Sequence, residues 1–544
     1  MFRETHISLT FNSKSVGVLM VIGFVNGNVY VSFKPLKKVE AFAVANGRIV
    51  FIGGNSDVEN IVRISGGTVV DLGGRTVLPG FIDSHVHIDE LGIFLSAIDL
   101  RGTKSLRELK ERLRKALDSV ETLWVLGHGW DQELFEEKKW PTRWDIDEVV
   151  SHRPALLTRI CLHAAVLNTL ALKVTGLEAL NSLNVERDEK GVPTGVIKEE
   201  ALEIAWERIR DSISVEEYEK LILNAMRFAA SHGVTTIGFT GCNVKVLKAL
   251  INLWSKGLLI TRVRVYLNPG KSWEVVHLLE NIGFKRSFGD EYLKIMGIKI
   301  LADGSLGART AWLSEPYTDN PSTSGVPSIP PEDLRKLARR THDLGLQLSI
   351  HGIGDKAIDV ILDAYSELKN VDRARHRIEH ASVVREDQID RMSRLGVVVA
   401  VQPNFVVSDW WALGRLGKKR IRWLYPFKTM LEKGIAVGFG TDTPVEPINP
   451  WQTVYAAVTR GKFENVAHYE DTKNERLDLQ EALNSYTYGS AYIMFEEHSL
   501  GTLDVGKLAD FVVVDRDPFT VEEKELKDVR ILETYIGGKK VYTA

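Results

Sequence analysis

From Val234 to Asp442 the chain alternates short apolar runs with amphipathic stretches, and this alternation narrows what it can fold into. The runs Val234–Thr240, Val263–Leu267, Ile295–Leu301, Gln347–His351, Arg375–His380, Val397–Gln402 and Ile435–Gly440 have the length and composition of buried strands. Helical patterns lie between them, among them Val244–Trp254, Pro331–Leu344 and Lys356–Leu368. Strands that alternate with helices pair in parallel, because each helix carries the chain back across the sheet. An earlier run, Thr76–His85, brings the candidate strands to the eight that a closed (β/α)8 barrel requires.

A chain of 544 residues exceeds the roughly 250 residues of a bare barrel, so the additions need an account. Both ends are rich in short strands broken by Gly and Asn: Val18–Phe33, Ala41–Ile52 and Thr68–Leu72 early, Phe511–Val514 and Val529–Tyr542 late. Chain ends often lie close together, so residues 1–75 and 496–544 are expected to share one small β-sandwich domain. The barrel is expected over 76–495. About 145 residues separate His87 from Val234, where one barrel unit needs about thirty. This insertion, 89–230, reads as helical and charged in parts, with Trp124, Trp130, Trp140 and Trp144 between, and is expected to cap the substrate site. The apolar run Val16–Val25 follows Lys14 as a signal peptide would, but it leads into Asn26-Gly27-Asn28 and the strand-like Val29–Phe33 with no small-residue cleavage site. A cytoplasmic location is therefore expected, with the first twenty residues an unstructured lead-in.

Charge and cysteine content exclude several functions. Lys+Arg 69 against Asp+Glu 72 gives a net charge of -3, which supplies no global attraction to nucleic acid or anionic membrane. No apolar run reaches the roughly 18 residues of a membrane span. Cys161 and Cys242 are the only cysteines, too few for a disulfide framework or a cysteine-rich zinc site. The expected partner is a small-molecule substrate, with self-association into a homo-oligomer left open.

The chemistry concentrates at strand ends. In Leu78-Pro79-Gly80-Phe81-Ile82-Asp83-Ser84-His85-Val86-His87, His85 and His87 stand two apart and so face the same side of a strand. At the C-terminal end of a first barrel strand both imidazoles point to the mouth, where one metal ion can take both. Later strands end in His351, His380 and Asp442. A lone strand-end His or Asp is ordinary; the recurrence at one end of successive strands is not. Lys299 lies inside the apolar run Met296–Ile300, where an amine is costly unless neutralised, paired or used. His376 and His380 also have the i, i+4 spacing of a zinc helix, but the local pattern is that of a strand and lacks the His-Glu-x-x-His order.

Pro79–His87, Gly297-Ile298-Lys299, His351, His380 and Gly440-Thr441-Asp442 together resemble the amidohydrolase superfamily of metal-dependent hydrolases. Gly127-His128-Gly129-Trp130-Asp131, Gly195–Glu199, Ala302–Gly307 and Gly501–Asp510 are similar to the amidohydrolase-3 branch, which includes N-substituted formamide deformylase-like proteins. The resemblance covers nearly the whole chain from about Val21 onward. It implies a (β/α)8 TIM barrel with a small β-sandwich from both chain ends. It also implies two divalent metal ions, zinc foremost, with manganese, iron or cobalt as alternatives. His85, His87 and Asp442 would hold one ion and His351 and His380 the other. Lys299, carboxylated on Nζ, would bridge the two, with Glu199 as the only substitute carboxylate.

The implied reaction is hydrolysis of a C–N bond in an amide-like small molecule by a metal-activated hydroxide, with Asp442 as general base and then acid. His163, Asp303, Arg309 and Trp130 are candidate substrate contacts. Each has a structural alternative: a helix-start histidine, an Asp303–Arg309 pair and a core tryptophan. Two other functions stay in view, a mononuclear metal deaminase of a heterocycle and a non-catalytic regulatory protein on the same scaffold. Gly354, three residues after His351, stands where deaminase relatives carry Glu, and none of the six ligand positions is substituted.

Overall fold

A computed structural model describes residues 21–544 apart from 121, 162 and 287, so the expectation for the first twenty residues lies outside the described part. Eight parallel strands form the central sheet: β1 Phe81–Val86, β2 Val234–Cys242, β3 Arg262–Leu267, β4 Leu293–Leu301, β5 Gln347–Gly352, β6 Arg377–His380, β7 Val398–Val401 and β8 Val437–Phe439. They pair in that order, each with the next. The ring closes just past β8, where Asp442 N donates to His85 O at 2.8 Å and His87 N to Thr443 O at 3.0 Å. Gly440 permits this approach: a Cβ there would lie 2.7 Å from the backbone nitrogen of His85. The result is the TIM barrel expected from the alternation.

The outer helices follow from their sequence periodicity. Pro331–Asp343 buries Leu334, Leu337, Ala338 and Thr341, the i, i+3, i+4, i+7 face, and carries Pro331 and two acidic residues in its first turn. The inner face of β3 is unusual for such a barrel, because Arg262, Arg264 and Tyr266 alternate along it. Arg262 makes a bidentate pair with Asp510 (2.7 and 2.9 Å), and Arg264 bonds Glu496 at 2.9 Å. Both arginines are fully buried, and such charges persist only when paired.

Thr76–His85, read as one strand, is two. Thr76–Pro79 leaves the barrel and pairs with Phe511–Val514 in a six-stranded sheet that also holds Asn28–Phe33 and Ile531–Ile536. The break falls at Gly80, where a Cβ would meet Thr235 Oγ1 at 2.4 Å. A second, four-stranded sheet of Ile22–Val25, Ala41–Ala45, Arg48–Gly53 and Thr68–Asp71 packs on the first. Phe24 stacks on Phe42 at 4.8 Å and Phe511 on Tyr535 at 4.4 Å in the core between them. Both chain ends thus build one sandwich.

The segment between β1 and β2 has its own sheet of six strands, including Val125–Trp130, Ala155–Arg159, Ala164–Leu167 and Pro193–Lys198. The sequence reading, which emphasised helices here, passed over these short apolar runs. Among the described residues no helix is long and apolar enough to cross a membrane.

Candidate metal centre

Five strand ends bring six side chains to the barrel mouth: His85 and His87 from β1, Lys299 from β4, His351 from β5, His380 from β6 and Asp442 beyond β8. Ligand atoms of His85, His380 and Asp442 all lie within 4.8 Å of one another. Asp442 Oδ1 is 3.0 Å from His87 Nε2 and 3.3 Å from His85 Nε2. The rings of His351 and His380 meet at 4.4 Å, and those of His85 and His380 at 4.9 Å. His380 and Asp442 both have left-handed backbone, φ 71° and 60°, a conformation that turns their side chains at the strand ends and costs on the order of 1 kcal/mol each or more.

The surroundings fix how each imidazole presents itself. His85 Nδ1 lies 2.6 Å from Glu379 Oε2. Glu379 is a carboxylate clamped by Arg377 Nε and Nη2 at 2.7 and 2.8 Å and by Ser349 Oγ at 2.7 Å. A clamped carboxylate only accepts, so Nδ1 carries the hydrogen and Nε2 keeps its lone pair for the mouth. His380 Nδ1 donates to Gln402 Oε1 at 2.7 Å, which frees its Nε2 in the same way. His351 is reversed: Nε2 donates to Gly304 O at 2.9 Å, and among the described residues Nδ1 has no hydrogen-bond partner. These three rings therefore offer lone pairs to a divalent cation, and their outer nitrogens are held as metal-binding histidines usually are.

Charge in the site follows from burial. Burial alone would raise Asp442, but His85 and then His87, in their protonated forms, outweigh it and hold the carboxyl well below its usual range. Burial, then the Lys299 charge, lowers His351 to about 3. For Glu379, Arg377 and then His85 overcome burial and keep it ionised. Lys299 is 6% exposed, and among the described residues no carboxylate forms an ion pair with it. Its Nζ approaches His85 Nε2 at 3.4 Å, and burial lowers it to about 8 against the pull of Glu379 and Asp442. An unmodified amine there donates to the lone pair that a metal would use; an Nζ-carboxylate would instead supply anionic oxygens.

The other expected contacts fall elsewhere. Trp130 is a correction: it is fully buried in the core of the insertion, its indole N–H donating to Leu157 O at 2.8 Å, so it cannot line the pocket. Asp303 is buried and accepts from the backbone N–H groups of Trp312, Ile353 and Gly354 at 2.8, 3.0 and 2.8 Å, which ties the loops after β4 and β5 together. Burial raises Asp303 to about 7. Arg309 does not pair with Asp303; it pairs with Asp319 at 3.0 Å on the surface. His163 is exposed and lies 3.3 Å from Glu199, also exposed, so neither is held in the cluster.

Sequence reasoning missed Glu379, Arg377, Gln402 and Asp83. Asp83 accepts from Thr441 N and Oγ1 at 3.0 and 2.6 Å and so locks β1 to the loop that carries Asp442. The available signal was spacing: Arg377 and Glu379 are two apart on β6, and Asp83 and His85 two apart on β1, hence on one face. Gly354 leaves no room for a side chain, because a Cβ would lie 2.1 Å from Trp312 O. No carboxylate can stand three residues after His351 in this backbone.

A cavity of about 880 Å³ opens over the cluster, lined by all six residues together with Asp89, Asn243, Asn268 and Lys271.

Comparison with known proteins shows the family and agrees with the fold. The model of the amidohydrolase family matches residues 68–542. The protein LONG AFTER FAR-RED 3 of Arabidopsis thaliana is 32% identical over 565 residues, covering 100% of this chain and 94% of that protein. N-substituted formamide deformylase of Arthrobacter pascens is 26% identical over 537 residues, covering 96% of this chain and 97% of that enzyme. Among solved structures, a metal-dependent hydrolase of Pyrococcus horikoshii is 42% identical with a TM-score of 0.83, covering 93% of this chain and 99% of that one.

Proposed function

The chain belongs to the amidohydrolase family and is a metal-dependent hydrolase, and from that premise we propose that it cleaves the C–N bond of a small-molecule amide in the cytoplasm. The observation that carries this reading is the convergence of His85, His380 and Asp442, with the imidazole lone pairs turned inward by Glu379 and Gln402. His85, His87 and Asp442 would hold one divalent ion, zinc foremost, and His351 and His380 a second. Lys299, carboxylated, would bridge the two. Its burial, with no carboxylate ion-paired to it among the described residues, supports that modification, since a neutral amine adds carbon dioxide, releases a proton and becomes an anion.

When bound, the ions supply Lewis acidity toward the scissile carbonyl and toward water. The remaining work belongs to the protein. Asp442, kept ionised beside His85 and His87, takes the proton of the attacking water at Oδ1 and passes it to the departing amine nitrogen. Glu379 and Gln402 prevent ring rotation of His85 and His380. The cavity above the cluster admits the substrate. The deformylase relative makes formamides reasonable first substrates. The closed space at Gly354 speaks against the deaminase alternative.

The test is to strip the protein with a chelator, reload it with zinc or manganese, and assay formamides, N-acyl amino acids and cyclic amides. Asp442→Asn should retain the fold and lose about 10²–10⁴ in kcat. An Asp442→Asn variant as active as the wild type would sink the mechanism.

A further inference from the structure

Beside the metal cavity lies a second one of about 290 Å³, between the insertion and the barrel mouth. The two share Glu90 and Arg210, whose side chains stand 3.8 Å apart at the seam. Two separate segments run from one cavity to the other. His87 caps the helix Ile88–Ser96, which carries Glu90, Ile93 and Phe94, and Asp442 is followed two residues on by Pro444. The lining is more apolar than that of the metal cavity, where Trp273, Ile300, Leu301 and Val445 stand among the metal-ligand side chains. Ile93, Phe94, Leu126, Trp206 and Pro444 form the walls, with His128 laid against Phe94 at 4.7 Å between ring centroids. Phe94 is 43% exposed within a cavity that its neighbours leave unfilled. His128 belongs to Gly127–Asp131, a motif to which the metal chemistry gives no task.

Resting on the reading of this chain as a C–N hydrolase, we infer that this cavity receives an uncharged alkyl or aryl substituent of the substrate while the scissile amide lies over the metal cluster. The argument is one of matched surfaces. Ligand sites are largely apolar with a few placed polar groups, and here the reactive polar groups cluster in one chamber while the adjoining one has the more apolar walls. A substrate that spans the seam puts its amide among His85, His87 and Asp442 and its apolar group among Phe94, Trp206 and Pro444. The Glu90–Arg210 pair separates the chambers without an unpaired charge facing the apolar one. The substrate class is therefore an N-substituted amide with an aryl or medium-length alkyl group, not a short, wholly polar amide.

The test uses metal-loaded protein and two straight-chain series from methyl to hexyl: N-alkylureas as slow-reacting mimics for calorimetric binding, and N-alkylformamides for turnover. Urea Kd should fall about fourfold per added methylene until the cavity is full. In Phe94→Ala the hexyl-to-methyl ratio of affinities should collapse at least about tenfold, and Phe94→Leu should restore part of it. Affinity independent of chain length in the wild-type protein overturns the inference, whatever happens to the variants. Chain-length-dependent urea binding with no formamide turnover upholds the apolar chamber and counts against amide hydrolysis. Turnover without chain-length dependence does the reverse.

Discussion

His85 and Glu379 are joined by a 2.6 Å hydrogen bond between two fully buried side chains, and the far side of that carboxylate is gripped by Arg377. The bond sets the tautomer of a metal ligand from behind. Glu379→Gln removes the charge and keeps the size. It should weaken metal binding by about 10–100-fold, and leaving Arg377 buried and unpaired should cost about 3–5 kcal/mol. Metal titration and thermal unfolding read the two effects. Glu379→Asp should recover part of the metal affinity. A Gln variant that holds metal as the wild type does would show that His85 needs no such support.

Lys299→Ala should bind less metal than the wild type, and added acetate or formate should partly restore activity by replacing the missing oxygens. Wild-type protein stripped of metal and carbon dioxide should regain activity faster when bicarbonate accompanies the metal. A metal-loaded crystal structure should show a planar group beyond Nζ between two ions about 3.5–4 Å apart. An unmodified Lys299 in a fully occupied two-metal centre refutes the bridge.

Acid stability should depend on a histidine far from the chemistry. His376 Nδ1 accepts from Leu348 N at 3.1 Å, its Nε2 meets His342 Nδ1 at 3.0 Å, and His342 Nε2 donates to Lys369 O at 2.9 Å. This chain requires a neutral His376, and burial lowers it to about 3. The unfolded chain takes up that proton near pH 6.5, the folded one only near 3. The contribution to stability is therefore full above about pH 6.5 and is lost as pH falls toward 3, by at most about 1.4 kcal/mol per pH unit. His376→Gln, which keeps an acceptor for Leu348, should flatten the melting temperature across that window. Identical slopes for variant and wild type would assign the acid sensitivity to another group.

Gly440→Ala should destabilise the protein by about 1–3 kcal/mol through overpacking, since the new methyl would press on the backbone of His85. The same shift moves His85 and Asp442 apart, so metal affinity should fall with stability. Calorimetric unfolding with and without metal separates the two. Unchanged stability in the Ala variant would mean that the β8–β1 closure tolerates more separation than these distances imply.

Strand-end chemistry was legible because period-two spacing and strand termini are local properties, and because His85, His87, His351, His380 and Asp442 recur at one end of successive strands. Glu379 stayed hidden behind its neighbour His380, although Arg377-Ile378-Glu379 has the spacing of an inward-facing pair. Its role depends on His85, nearly three hundred residues away, a contact that no local pattern encodes. Trp130 misled for the opposite reason, because an aromatic beside a motif looks the same whether it faces a pocket or a core. The strands of the insertion were missed because four- to six-residue apolar runs among charged helices carry too few residues to establish a period.

The pairing of Thr76–Pro79 with Phe511–Val514, and of Arg262 with Asp510, has a consequence for synthesis. Thr76–Pro79 has one neighbour close in sequence, Asn28–Phe33, and the other more than four hundred residues later, and Arg262 likewise finds its only carboxylate among the described residues in Asp510. The sandwich is thus complete only with Phe511–Val514 in place, whereas the insertion has a sheet and a core of its own. In the sheet order Phe511–Val514 lies between Ile531–Ile536 and Thr76–Pro79, so the N-terminal half-sheet keeps an open edge until those late strands pair with it.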